Sequence, residues 1–308
     1  DTILLCPLGA SFKSPMGARF LGHLERFCAA FFPGMAIQVL PKPLSLKAVS
    51  SRENEVGHKQ YLIRDIMQML SSDKEVLRHR RAFCKLGITL EDIYPGEEWN
   101  FVYGQANMLE RAGVFSFARH SPLFSEGVHA TDADGLAEER LLTWVRSCRH
   151  TMVHEAVHML GIKHCVHFRC LMNGNNGPGD TCTGVQFLCP VCLRKVLFAL
   201  KALDPGGPEA LVARYEAMKT VLLEHVADRV ERAPWSVAKD IGWLERRQEQ
   251  VLPDPEARRA AVAASAASPL SLPPIEQEPA DARPGRRPSA LKHQPPLPAA
   301  GEQRTCSR

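Results

Sequence analysis

The sequence predicts an α/β fold: a β-sheet in the first half of the chain, one long helix near the middle, and a mainly helical second half. Three observations carry this expectation. Short apolar runs closed by Pro or Gly alternate with helically spaced stretches as far as Ala118. From Asp134-Gly135 to Leu160 helical spacing continues unbroken until Gly161. After Val191 apolar residues recur at helical spacing only.

Taken in order, Thr2 to Leu8 reads as the first strand, and Ala18 to Phe32 as a helix stopped by Pro33-Gly34. Ala36 to Leu40 is a second strand, ended by Pro41 and Pro43. Gln60 to Leu70 reads as a helix with Leu62, Ile66, Met69 and Leu70 on one side. Strands are expected at Leu86 to Leu90, at Trp99 to Tyr103 and at Gly113 to Ala118, with a turn at Tyr94-Pro95-Gly96. Residues 165 to 192, rich in Cys, Gly and Asn, predict an irregular loop held by something other than a core. Helices are expected at Val191 to Leu203, Glu209 to Val230 and Ser236 to Gln250.

From Pro253 the composition changes. The remainder has no aromatic residue and carries 11 of the 23 prolines, so residues 251–308 are expected to form a disordered tail that buries too little apolar surface to offset its ordering entropy. Pro295-Pro296-Leu297-Pro298 is the one motif there with a partner chemistry, a polyproline-binding domain.

A formal net charge of +4 is too small to argue for nucleic acid or an anionic membrane, and no apolar stretch nears the roughly 18 residues of a membrane span. A monomer is expected. The chain runs from Asp1 straight into a strand, which predicts that an N-terminal piece, and any targeting signal in it, precedes it. Cys6, Cys28, Cys84, Cys148 and Cys306 are scattered, whereas Cys165, Cys170, Cys182, Cys189 and Cys192 crowd one segment beside histidines. That clustering predicts thiolate–metal chemistry in a reducing, intracellular, cytoplasmic setting rather than a disulfide framework.

The chemistry centres on His154-Glu155-Ala156-Val157-His158 and the following Met159 to His164. Residues four apart share a helix face, so His154 and His158 can address one ion, and neutral imidazole suits zinc. A continuous helix would carry His164 about 15 Å along the axis from His154, so the helix must stop and reverse, which Gly161 permits. Three histidines leave a fourth position open, the mark of a catalytic zinc, and place Glu155 as the general base. A bare His-Glu-x-x-His arises by chance on amphipathic helices; Gly161 and His164 at these offsets make chance a poor account. Cys165-x4-Cys170 and Cys189-x2-Cys192 suit a closed, structural zinc, giving an expected two Zn2+ per chain, with Cys182 a bystander. An intact Glu155 disfavours the alternative of a catalytically silent zinc scaffold, and the lack of a basic, aromatic-rich stretch disfavours a nucleic-acid-binding zinc ribbon.

The zinc helix, Gly161 and His164 resemble the metzincin metallopeptidases, and Cys165, Cys170, Met172, Cys189 and Cys192 resemble the archaemetzincin branch. The Pro-rich tail is similar to that of the longer of two vertebrate paralogues. The resemblance implies an archaemetzincin-like domain over 1–250, with an upper subdomain (1–161) of sheet and zinc helix. A lower subdomain (162–250) would hold the zinc loop, the C-terminal helices and a Met-turn at Met172. It implies a zinc-dependent metallopeptidase that hydrolyses peptide bonds, aminopeptidase-like on short peptides, with a peptide or protein as substrate. The segment Gly104-Gln105-Ala106, ahead of Gly113 to Arg119, is similar to the family's substrate-pairing edge strand. One departure is Gly174, where several metzincins carry a tyrosine that helps stabilise the oxyanion.

Overall fold

The computed structural model describes residues 2–129, 138–174, 184–200, 207–224 and 235–267. Strand β1 (Thr2–Leu8) is buried along nearly its whole length, as a central parallel strand must be. Its side chains alternate between two cores. Ile3 and Leu5 join one with Phe20, Leu24 and Phe27 of helix α1 (Pro15–Phe31), while Leu4, Cys6 and Leu8 join another with Ile63, Ile66 and Leu70 of α2 (Ile63–Ser72). Helix α1 starts three residues earlier than its apolar spacing suggests. Ser14 caps it, accepting from Gly17 N at 3.0 Å, and Pro15 takes the first turn.

With β2 (Ala36–Val39), β5 (Cys84–Thr89), β7 (Gly104–Asn107) and β8 (Ala112–Ser116), β1 makes a five-stranded sheet ordered β2-β1-β5-β8-β7. All pairs are parallel except β7–β8, so the sheet is mixed and β7 is its antiparallel edge. A second sheet pairs β3 (Ser51–Glu53), β4 (Lys59–Leu62) and β6 (Asp92–Tyr94). Short helix α3 (Lys74–Arg78) follows α2.

Two sequence expectations need correction here. Gln60 to Leu62 is strand, not helix: it is paired on both sides, by Ser51 to Glu53 and by Asp92 to Tyr94, and those partners override the helical spacing. Trp99 to Tyr103 is not strand; Trp99 is 65% exposed, and the ladder begins at Gly104. A Cβ at Gly104 would lie 2.3 Å from Phe115 Cδ1, so only glycine allows this close crossing.

The long helix α4 (Glu138–Met159) packs on α1 and β8. The second half contributes α5 (Pro190–Ala199), α6 (Gly207–Glu224), α7 (Trp235–Val251) and α8 (Pro255–Ala267). Helix α8 lies inside the segment expected to be disordered. Its run of alanines favours helix, and it packs on α6 and buries Ala261; residues 268–308 and the proline motif lie outside the described residues. No helix among the described residues is long and apolar enough to cross a membrane.

Helices α4 and α7 are joined by a buried ion cluster. Arg146 donates to both oxygens of Asp240 at 2.8 and 2.9 Å, and Arg149 donates at 3.0 Å. Burial, helped by the charge of Arg146, pulls the Arg149 guanidinium down to about 10 even with this carboxylate beside it. Asp240→Ala should therefore strand two buried cations and cost about 3–5 kcal/mol in urea unfolding. A loss under about 1 kcal/mol, the usual value of an exposed pair, would show that water reaches the cluster.

Candidate metal centre

Helix α4 carries His154, Glu155 and His158 in its last two turns. It ends at Met159, and Gly161 takes φ +80°, so the chain reverses where the sequence required it. Nothing lies within 4 Å of a Cβ built on Gly161, so conformation rather than space selects glycine there. The reversal brings His164 back: His154 Nε2 lies 3.0 Å from His158 Nε2 and 3.3 Å from His164 Nε2.

These distances test the fit of a metal. Tetrahedral zinc with bonds of 2.0–2.1 Å separates two nitrogens by about 3.3 Å. The Nδ1 of His154 donates to Leu171 O at 2.8 Å, and that of His158 to Ile162 O at 2.6 Å. Each ring therefore spends its one neutral-state proton on a carbonyl, leaving two bare Nε2 lone pairs facing each other. Such an arrangement repels itself unless a cation sits between the nitrogens. Burial, with smaller effects from the neighbouring imidazoles, holds His154 at about 4 and lowers His158, so both are neutral and ready to ligate.

Glu155 is partly buried and has its carboxyl pushed up to about 7 by desolvation. A divalent cation on the adjacent imidazoles would pull that value back down. A Cβ at Gly174 would sit 3.4 Å from His164 Nδ1, so position 174 borders the third imidazole even without the tyrosine several metzincins carry there.

The sequence reading passed over His150 and His120. His150 lies one turn before His154, its ring stacked 6.0 Å away, and Gln186 Nε2 is 3.1 Å from its Nδ1. Burial first, then the charge of nearby groups, lowers it to about 3. The i, i+4 offset from His154 was the available signal. His120 bonds Thr151 Oγ1 at 3.1 Å and stacks on Tyr103 at 5.1 Å; no sequence spacing announces it.

Those contacts orient the edge strand. Tyr103, just before β7, stacks on His120, which in turn bonds Thr151 of α4. Ala106 of β7 pairs with Gly113, whose added Cβ would be 3.2 Å from Met159 Cε. Strand β7 is thus linked to α4 at two levels, through His120 at Thr151 and through its neighbour β8 at Met159. Gln105 and Ala106 are exposed on this edge.

The second cluster follows at once. The Sγ atoms of Cys165, Cys170, Cys189 and Cys192 lie within 4.8 Å of one another, with Cys165 and Cys189 at 3.9 Å. Zinc–sulfur bonds of 2.3 Å in a tetrahedron predict about 3.8 Å. Backbone N–H groups of Met172 and Cys189 donate to Cys170 Sγ, and that of Cys192 to Cys189 Sγ. Against the cost of burial, N–H groups of His167 and Phe168 hold the Cys165 thiol below its usual value. Asn173 clamps the loop, accepting from Cys170 N at 2.8 Å and donating to Cys165 O at 2.6 Å and Phe168 O at 2.8 Å. Met172 is fully buried in the main core, and its neighbour Leu171 holds His154. Cys182 lies outside the described residues. Cys6 and Cys84 are buried thiols pushed up to about 12 by desolvation, which marks them as packing groups.

No family model matches the chain. Archaemetzincin-2 of Pongo abelii is 32% identical over 243 residues, covering 73% of this chain and 64% of the relative. Archaemetzincin-1 of Homo sapiens is 31% identical over 238 residues, covering 71% and 45%. The chain thus spans just under two thirds of the archaemetzincin-2 length. The archaemetzincin-2 matches are the stronger, so the tail composition that pointed to the longer paralogue does not decide between the two. Among solved structures, archaemetzincin from Methanopyrus kandleri superposes with a TM-score of 0.46 at 23% identity, covering 65% of this chain and 95% of that one. That from Archaeoglobus fulgidus, complexed with malonate, gives 0.43 at 25% identity, covering 63% and 99%. By its sequence relatives the chain belongs to the archaemetzincin family.

Proposed function

We propose that this chain is a zinc-dependent metallopeptidase, aminopeptidase-like on short peptides. His154, His158 and His164 would hold a catalytic zinc, and Cys165, Cys170, Cys189 and Cys192 a structural one. The observation that carries the reading is the pair of Nε2 lone pairs facing each other at 3.0 Å, both Nδ1 protons being committed to carbonyls. When bound, zinc supplies Lewis acidity, polarising a carbonyl and lowering the pKa of a water toward about 7.

The chain's own groups do the rest. Glu155 takes a proton from the attacking water onto a carboxylate oxygen and returns it to the leaving amine. Partial burial keeps its carboxylate from being fully hydrated, which suits it to both roles. The backbone of Gly104, Gln105 and Ala106 offers the unpaired side of an edge strand, where an extended peptide can add as a further strand beside α4. Leu171 O and Ile162 O keep the imidazoles oriented.

Elemental analysis should find two zinc ions per folded chain. Cys189→Ser should lose one of them and unfold the region after His164, because structural zinc contributes folding free energy directly. His164→Ala should lose the other and keep the fold. Equal loss of structure in both variants would show that the two ligand sets are not separate sites.

Glu155→Ala should keep both zincs, since no ligand changes, and lower hydrolysis of short peptides at least ~100-fold. Asp at this position should fall between, because the charge stays while the reach shortens. Peptides with blocked amino termini should resist cleavage. Equal rates in wild type and Glu155→Ala would remove the general base from the mechanism. A zinc-loaded wild type inert across a broad panel would favour a scaffold.

A further inference from the structure

A cleft of about 430 Å³, lined by none of the three imidazoles, opens between the Cys165–Cys170 loop and helix α7. Lys239, Trp243 and Arg247 line it from α7 at intervals of four, so they share one helix face. Phe168 and Arg169 form the opposite wall. The floor is Phe187, stacked on Trp243 with centroids 4.3 Å apart. Asp240 is the only acidic lining residue among those described, and its oxygens are taken by Arg146 and Arg149. Arg169 and Arg247 thus place two cations at the rim, and Phe168, Phe187 and Trp243 are aromatic lining residues.

Phe168 is 52% exposed at the tip of a loop that Asn173 and the cysteine cluster hold rigid. A preorganised exposed aromatic beside cations is costly for a free surface and useful for an interface. The volume falls in the range of ligand sites, enough for a side chain or two with their backbone. The cleft is also near the imidazoles: Phe168 follows His164 by four residues, at most about 14 Å of chain. An extended peptide covers that span in about five residues.

We infer that this cleft docks an acidic segment bearing an aromatic residue, on a peptide or protein substrate, a few residues from the bond that is cut. The aromatic ring would enter between Phe168 and Trp243, and flanking carboxylates would meet Arg169 and Arg247. The inference rests on the peptidase reading, and the cysteine cluster then has a second task, building the wall that Phe168 and Arg169 present.

The test uses the full, zinc-loaded chain carrying Glu155→Ala, so that binding is measured without turnover. The probe is a fluorescein-labelled peptide with one Phe flanked by Glu residues, followed by anisotropy. Binding should weaken about 10-fold in Arg169→Glu with Arg247→Glu, about as much in Phe168→Ser, and further as salt rises. The same peptide with Lys in place of Glu should not bind. Failure of the Glu peptide to bind, equal affinity in the parent and these variants, or displacement of the peptide by ATP at lower concentration would overturn the assignment. Hydrolysis of short neutral peptides, measured in parallel with Glu155 intact, separates the two readings. Cleavage retained without docking rejects the cleft alone, whereas docking without cleavage keeps the cleft as a binding site and rejects its role in catalysis.

Discussion

The arrangement depends on one constraint, the reversal of the chain at Gly161. Three imidazoles cannot meet along a straight helix, because His164 would lie about 15 Å beyond His154. Ending α4 at Met159 and taking φ +80° at Gly161 folds that distance away and sets the direction of everything that follows. The chain leaves His164 directly into Cys165, so the position of the third imidazole also places the first thiol.

That adjacency ties the two ligand sets into one frame. Cys165 N donates to Met172 O at 2.7 Å, Leu171 N to Phe187 O at 2.8 Å, and Leu171 O accepts from His154 Nδ1 at 2.8 Å. The carbonyl that orients the first imidazole therefore belongs to a short segment pinned by the cysteine loop on one side and by residues just ahead of Cys189 on the other. Arg146, reaching from α4 to Gly184 O and Asp240, fastens the same segment to α7. A closed thiolate site is well suited to this work, since it gives rigidity to a loop with too few apolar side chains to form its own core.

Much of this was legible in the residues. The helix with its histidines four apart, the glycine stop and the two cysteine pairs are all local patterns, and local geometry alone brings them together. What stayed hidden depends on distant partners. Gln60 to Leu62 has helical spacing but is captured by strands on either side. His120 reaches Thr151 across 31 positions, and Asp240 reaches Arg146 across 94. The edge strand could be named by resemblance, yet its link to α4 follows only from Tyr103 on His120 and Gly113 of β8 near Met159. Helix α8 was hidden for another reason: prolines around it dominated the composition, while its alanine-rich interior and contact with α6 decide the local outcome.

Burial serves the imidazoles and the carboxylate in opposite ways. Desolvation disfavours charge on both, so it empties His154 of its second proton and raises the share of protonated Glu155. The first effect is what a metal needs, since only a neutral imidazole has a lone pair to give. The second would disable a base if it acted alone. A cation held by those same imidazoles is the natural counterweight, because its charge acts on Glu155 from the neighbouring residue's position. In the proposed mechanism, a metal on the imidazoles would favour the ionised carboxylate, so its binding and the readiness of the base would be coupled. The imidazoles are held for that role by burial and by Leu171 and Ile162.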